Sequence, residues 1–428
     1  MSVPASQTHT HTTTSSTMSA LRFHKSFLIL LLARMVTRFG HSIDYIAYSW
    51  MVYQLTGSKM LMGSLFAMNF VPGILFSLFA GVLVDRLPKK PLLVMTYAVR
   101  FVIVALTAFL FIKGWILPWH LFLFTFLNST FECFSTPAET SLVPRLLPKR
   151  LLLSGNSLIT SASRVAELAG LAVTGPLIAW IGLAGAIWGG SGAFLVSALI
   201  VLFIRIPSVR KEVGPSLKAT EVQPLRFWQQ LKQGLQFVRS ERILLYTLST
   251  SAVINMGLTP INVMQPVYVQ EILQAGPATQ SVLGGAMTLG MILSGFGLGI
   301  WGPRFRKSTL IVSGCFLLGT GQICLFIPSS TSILPLVIAG CGAFASGLAL
   351  PLISTTAATY MMEAAPQAML GRVSSVSSMV GMAFIPLGSV GVGAAGSFVD
   401  VEWLFMSAGI LVMIPPIFLL TQKKFMKI

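Results

Sequence analysis

Gly81-Val82-Leu83-Val84-Asp85-Arg86-Leu87-Pro88-Lys89-Lys90 lies where one apolar run ends and before the next begins. One acid and three bases are gathered between stretches that carry almost no charge. Short Lys/Arg clusters between apolar runs mark the cytoplasmic ends of membrane spans. The rest of the chain repeats the pattern. Of 428 residues, 54% are hydrophobic and only 10% are charged, far below the roughly 25% of a soluble domain. That excludes a soluble enzyme, and such an apolar chain is equally far from disorder. The formal charge of +17 does not indicate nucleic-acid binding, because the bases are scattered between apolar runs rather than collected on one reading face. No nucleic-acid partner is expected.

The apolar runs fall at 28–53, 61–84, 91–112, 117–135, 157–180 and 186–204, then at 243–270, 280–301, 309–327, 333–359, 373–395 and 403–421. Each is about the 20 residues that a helix needs to cross a bilayer, and none alternates as a barrel strand does. The expected fold is all-α: a polytopic membrane protein of 12 transmembrane helices in two six-helix bundles. The expected layout is a disordered cytoplasmic tail (1–21), an N-terminal bundle (22–204), a central cytoplasmic loop (205–242), a C-terminal bundle (243–421) and a short cytoplasmic tail (422–428). Halves of near-equal length suggest a parallel internal repeat. In the central loop, Leu225, Trp228, Leu231, Leu235 and Val238 recur every three to four residues, which predicts an amphipathic helix over 225–238 on the membrane surface.

Most bases in the connections fall on one side: Arg22 and Lys25, the cluster at 86–90, Arg145 to Arg150, the central loop, Arg304 to Lys307, Arg372 and the C-terminal lysines. Lys59 and Lys113 alone fall on the other. This asymmetry predicts an inner (plasma) membrane protein with both termini in the cytoplasm. Cys133, Cys315, Cys324 and Cys341 sit inside apolar runs without metal spacing, and His9 and His11 lie on a tail with no preformed site. No metal or cofactor is expected.

Ionisable groups at membrane depth are costly and mark function by default. Here they are Arg34, Arg38 and Asp44 in the first run, Arg100 in the third, Glu132 in the fourth, and Arg164 and Glu167 in the fifth. The second half offers neutral groups instead, among them Asn255, Asn262 and Gln265. Pro260 and Pro266 should break the seventh span and free backbone carbonyls toward a cavity. His41 and Asp44 share a face and are expected to pass a proton. Arg164 and Glu167 have the same spacing and are expected to neutralise each other, unless both pairs are polar ties between helices. Arg34 is expected to snorkel to the near interface. For proton coupling the order of expectation is Asp44, then Glu167 and Glu132, with His41 assisting. For substrate it is Arg38, Arg164, Asn255, Asn262 and Gln265.

The Gly81–Lys90 stretch, taken with twelve runs in equal halves, resembles the signature loop of the major facilitator superfamily. Within it, Ala33-Arg34, Trp50, Leu55-Thr56-Gly57-Ser58, Pro137-Ala138, Leu142-Val143-Pro144 and Gly175-Pro176 are similar to the branch of macrolide and enterobactin exporters. Pro88 stands where that loop usually has glycine, and Glu139 where that branch often has arginine. The resemblance implies a cytoplasmic gate of Gly81, Asp85, Arg86, Lys89 and Lys90 against Gly371 and Arg372, with Arg100 pairing near Asp85. It also implies a monomeric secondary transporter working by alternating access, embedded in lipid and driven by the proton gradient. Export of an amphiphilic small molecule, such as a drug or siderophore, is the expected task. Uptake of a siderophore or nutrient is the alternative in the same class, and a non-transporting sensor or lipid scramblase the alternative in another. An intramembrane enzyme lacks a Ser–His dyad or His–Glu metal cluster in the spans.

Overall fold

The computed structural model describes residues 23–148, 151–205, 235–329, 334–364, 370–422 and 425–427. Among them there are helices and no strands. The first half contains α1 (Lys25–Thr56), α2 (Lys59–Met68), α3 (Val71–Arg86), α4 (Lys89–Ile112), α5 (Pro118–Leu146) and α6 (Leu152–Leu202). The second contains α7 (Arg242–Gly257), α8 (Thr259–Val267), α9 (Pro277–Trp301), α10 (Lys307–Cys324), α11 (Pro335–Ala364), α12 (Leu370–Ala395) and α13 (Val401–Thr421).

Local chemistry sets the breaks. α1 stops at Gly57, whose φ of 59° is the left-handed cap that glycine tolerates. Ser58 then caps α2 by accepting from Leu61 N–H at 3.3 Å. Pro72 at the start of α3 separates it from α2. The seventh span breaks at Leu258, just before Pro260, and ends in a π-helical turn, Tyr268–Ile272, after Pro266. Proline at 266 cannot donate to the carbonyl four residues back. That carbonyl belongs to Asn262, and the Tyr45 hydroxyl donates to it at 3.1 Å from the other half.

Eight helical stretches among the described residues are long and apolar enough to cross a membrane. The expected count of twelve is larger for physical reasons. The runs 157–180 and 186–204 form one apolar helix bent at Gly182, where φ is 75°. The fourth run is diluted by His120 and Glu132, and the ninth, as helix α10, by Lys307 and Gln322; of the eleventh, Ala383–Ala395 is the apolar stretch among the described residues. Large apolar side chains on the outside, such as Trp180 and Phe398, are 84% and 90% exposed, as a lipid-facing surface requires.

The halves meet through small residues, which let helix backbones approach closely. A Cβ on Gly63 of α2 would strike the Ser389 carbonyl and Gly393 of α12, and one on Gly175 of α6 would strike Ala278 and Ser281 of α9. An apolar cluster including Trp50, Met51 and Ile187 from one half and Met264, Tyr268 and Leu283 from the other fills this contact. Polar ties gather at the same end. Lys59 Nζ lies 2.9 Å from Glu271 Oε2, Tyr53 donates to Glu271 at 2.7 Å, Trp50 donates to Gln280, and Gly175 N–H donates to Ser281 Oγ at 2.8 Å.

Of the central helix, 225–234 lies outside the described residues and 235–240 is helical. Val238 is not turned to lipid as expected. It is buried against Leu244, Leu248, Val373 and Val376 of the second half.

Candidate functional site

α1 carries Arg34, Arg38, His41, Asp44 and Tyr45 at intervals of one to four residues, which places them along one side of the helix. α5 presents Thr125, Asn128, Glu132 and Glu139 in the same way. The two rows face each other and form a ladder of opposite charges. Arg34 Nη1 lies 3.1 Å from Glu139 Oε2, and Arg38 Nη1 lies 3.6 Å from Glu132 Oε1. Tyr97 of α4 donates to Glu139 at 2.6 Å. Arg100 of α4 enters the ladder from behind, only 1% exposed. Its Nη2 lies 3.6 Å from Glu132 Oε2 and 3.4 Å from His41 Nδ1, and its Nε donates to Asn128 Oδ1 at 2.8 Å. Its guanidinium rests 4.3 Å from the centre of the Phe194 ring on α6.

Above this ladder opens a cavity of about 300 Å³. His41, Asp44, Asn128 and Glu132 supply its charged and amide wall. Tyr45, Tyr48, Phe66 and Phe70 supply aromatic faces, and Asn262 and Val263 bring in the second half. Tyr48 is held by Thr107 at 2.6 Å, and Ser129 donates to Asn69 at 3.3 Å. Such a mixture of apolar faces and a few fixed polar groups is what a small-molecule site presents.

Asp44 differs from the other acids. It is 5% exposed, and neither carboxyl oxygen has a hydrogen-bond partner among the described residues. It lies against α6 where a Cβ on Gly190 would strike its Oδ1, so only glycine leaves room for it there. An ionised carboxylate without partners is costly to bury, so the group is suited to change charge as its surroundings change.

The structure brings Arg38, His41, Asp44, Arg100, Glu132 and Asn262 into one neighbourhood. Other expectations are corrected. Arg100 does not stand at the gate with the 81–90 loop, because it lies roughly 16 Å along α4 from Lys89 and its partners are Glu132, Asn128 and His41. Arg34 does not reach for the interface but pairs with Glu139. Arg164 and Glu167 do pair, at 3.0 Å, yet their side chains are 65% and 40% exposed rather than buried. Asn255 and Gln265 are half-buried and do not line the cavity. Lys89 is buried and donates to the Val84 carbonyl, completing the end of α3. Lys90 is half-buried. The side chains of Gly81, Asp85, Arg86, Gly371 and Arg372 lie outside the described residues, as do His9 and His11.

Glu139, Asn128, Tyr97 and Tyr45 escaped the sequence reading as site residues. The heptad separation of Glu132 and Glu139, matching the row Arg34–Arg38–His41, was the available signal.

A family model described as Major Facilitator Superfamily matches residues 30–389. Macrolide efflux protein A of Streptococcus pyogenes is 22% identical over 390 residues, covering 90% of this chain and 93% of that protein. The multidrug efflux pump Tap of Mycolicibacterium fortuitum is 22% identical over 391 residues, covering 88% and 90%. Among solved structures, a bacterial homologue of the iron transporter ferroportin in an inward-facing state has a TM-score of 0.71 at 15% identity, covering 92% of this chain and 98% of that one. The nucleoside transporter NupG has a TM-score of 0.70 at 13% identity, covering 94% and 98%.

Proposed function

This chain belongs to the Major Facilitator Superfamily, and from that premise we propose that it exports an amphiphilic small molecule from the cytoplasm in exchange for protons. The observation that carries the reading is Asp44: an acid buried in the cavity wall, with no partner for either oxygen among the described residues. An antiporter needs a group that is charged in one state and neutral in another. Arg38 and Arg100 each lie 3.6 Å from Glu132, while neither Asp44 oxygen has a hydrogen-bond partner among the described residues, which leaves that carboxyl available for the proton.

The substrate class follows from the cavity and the relatives together. Aromatic faces from Tyr45, Tyr48, Phe66 and Phe70 take apolar area, while Asn69, Asn128 and Asn262 offer hydrogen bonds. Macrolide-like drugs and siderophore-like metabolites share that chemistry, and since the cavity holds about 300 Å³, a molecule of macrolide size requires it to widen as the halves rock. With both termini cytoplasmic in the inner (plasma) membrane, the orientation that the Lys/Arg asymmetry favours, the Lys59–Glu271 tie and the Gly63 and Gly175 seams lie at the external end and support a state closed there. Alternating access then consists of rocking the halves about the cavity.

The test is accumulation of a radiolabelled macrolide in cells that express the chain and lack their own exporters. Lower accumulation that rises to the control level on adding an uncoupler supports the reading. Accumulation indifferent to both the protein and the uncoupler, across macrolides and a hydroxamate siderophore, rejects it.

A further inference from the structure

Arg100 stands between two acids. One is Glu132, 3.6 Å from its Nη2. The other is Asp44, whose two carboxyl oxygens have no hydrogen-bond partner among the described residues. The wall of α6 shows how near they are. The guanidinium lies over Phe194, and the Asp44 carboxyl lies against Gly190. Those two positions are one turn apart on the same face of α6, about 6 Å along the helix. His41 fills the corner, with Nδ1 3.4 Å from Arg100 Nη2 and its own Cα one turn from Asp44 on α1. Glu132 already has a second partner in Arg38.

We propose that Arg100 is a positioning residue that moves between Glu132 and Asp44 as Asp44 loses and regains its proton, so that the proton state of Asp44 sets the charge Glu132 presents to the cavity. This rests on the reading of Asp44 as proton carrier. When the Asp44 O–H bond breaks, the proton passes to water in the cavity and a carboxylate remains. The guanidinium turns to that carboxylate while its Nε stays near Asn128, and Glu132 keeps Arg38 alone. When water returns a proton, the O–H bond forms again and the guanidinium returns to Glu132.

The surrounding charges favour such an exchange. Arg34, Arg38 and Arg100 face Asp44, Glu132 and Glu139, three cations against three acids. A proton on Asp44 therefore leaves the cluster one positive charge in excess, and loss of that proton restores the balance. The other groups within electrostatic reach are Tyr48 for Asp44, His41 and Glu139 for Glu132, and Glu167 for His41. An arginine suits the task because its planar fork carries donors on three nitrogens, so Nε can keep Asn128 as the group pivots and presents its terminal nitrogens to either acid, whereas a lysine has one nitrogen only.

The experiment is an infrared difference titration of the purified full-length protein. The carboxyl band missing in Asp44→Asn belongs to Asp44, and the one missing in Glu132→Gln belongs to Glu132. Glu132→Gln is expected to change the proton affinity of Asp44 by about tenfold, and Asp44→Asn that of Glu132 by the same factor, because linkage is reciprocal. In Arg100→Lys, which keeps the charge and loses the reach, this linkage is expected to vanish. An undiminished linkage in Arg100→Lys, or none in the unaltered protein, overturns the proposal. If Arg100→Lys does not insert, structures of the unaltered protein on either side of the Asp44 midpoint decide. The guanidinium is expected on Asp44 at the higher pH, and its staying on Glu132 at both overturns the proposal. Loss of uncoupler-sensitive export with the linkage intact strikes at the proposed function instead, so the two failures are distinguishable.

Discussion

Replacing Glu139 by glutamine removes one negative charge from the most buried rung of the ladder. Glu139 is 6% exposed, and it holds both Arg34 Nη1 at 3.1 Å and the Tyr97 hydroxyl at 2.6 Å. Glutamine keeps a carbonyl for Tyr97 but leaves the Arg34 cation without its counter-charge. Breaking a buried pair from one side costs about 3–5 kcal/mol. The Arg34 side chain retains 18% exposure, which places the expected loss at the low end, about 3 kcal/mol. A double variant, Arg34→Met with Glu139→Leu, removes both charges and fills the space with apolar atoms, so it should recover most of that loss. The assay is thermal unfolding of the purified protein in detergent, followed by tryptophan fluorescence. A clear drop for Glu139→Gln, reversed in the double variant, is the expected result. If Glu139→Gln melts with the unaltered protein, the pair carries no stability and the ladder is no structural unit.

Gly63→Leu should pry α2 from α12, because even a Cβ there meets the Ser389 carbonyl and Gly393; normal transport by an inserted Gly63→Leu protein contradicts the seam. Glu271→Gln removes the charge partner of Lys59 at a partly exposed site, worth about 1 kcal/mol, and should speed modification of a cysteine at Ser49 by an external reagent a few-fold; an unchanged rate rules out the tie as a closure. Asp85→Asn should insert normally yet cycle slowly, as the resemblance of the 81–90 stretch to a gating loop implies; full-speed transport by that variant denies the loop a role.

How much of this was readable beforehand depends on the kind of information each element carries. Span positions follow from apolar length, so most helices fall where the runs do. The break at Pro260 and the carbonyl freed by Pro266 were also legible, because proline acts on its own backbone. Depth could be read in part, since it marked Arg38, Asp44 and Glu132 as ionisable groups inside the membrane without showing that they face one another. Rotation could not. A buried span is apolar on every side, so the pattern does not say which way Arg100 turns. Its expected place at the gate came from resemblance, and its observed partners come from how α4 packs behind α1 and α5. Glu139 was missed for the same reason, since its meaning depends on Arg34 facing it across two helices.

The central claim is that Asp44 carries the proton that drives export. The most direct measurement uses proteoliposomes with an imposed pH gradient, recording labelled macrolide and proton movement together. The unaltered protein should move both, each in the direction opposite to the other. Asp44→Asn should still exchange labelled for unlabelled macrolide at equilibrium, yet neither accumulate it nor move protons. If Asp44→Asn accumulates macrolide against its gradient as well as the unaltered protein does, Asp44 is not the carrier and the account fails at its centre.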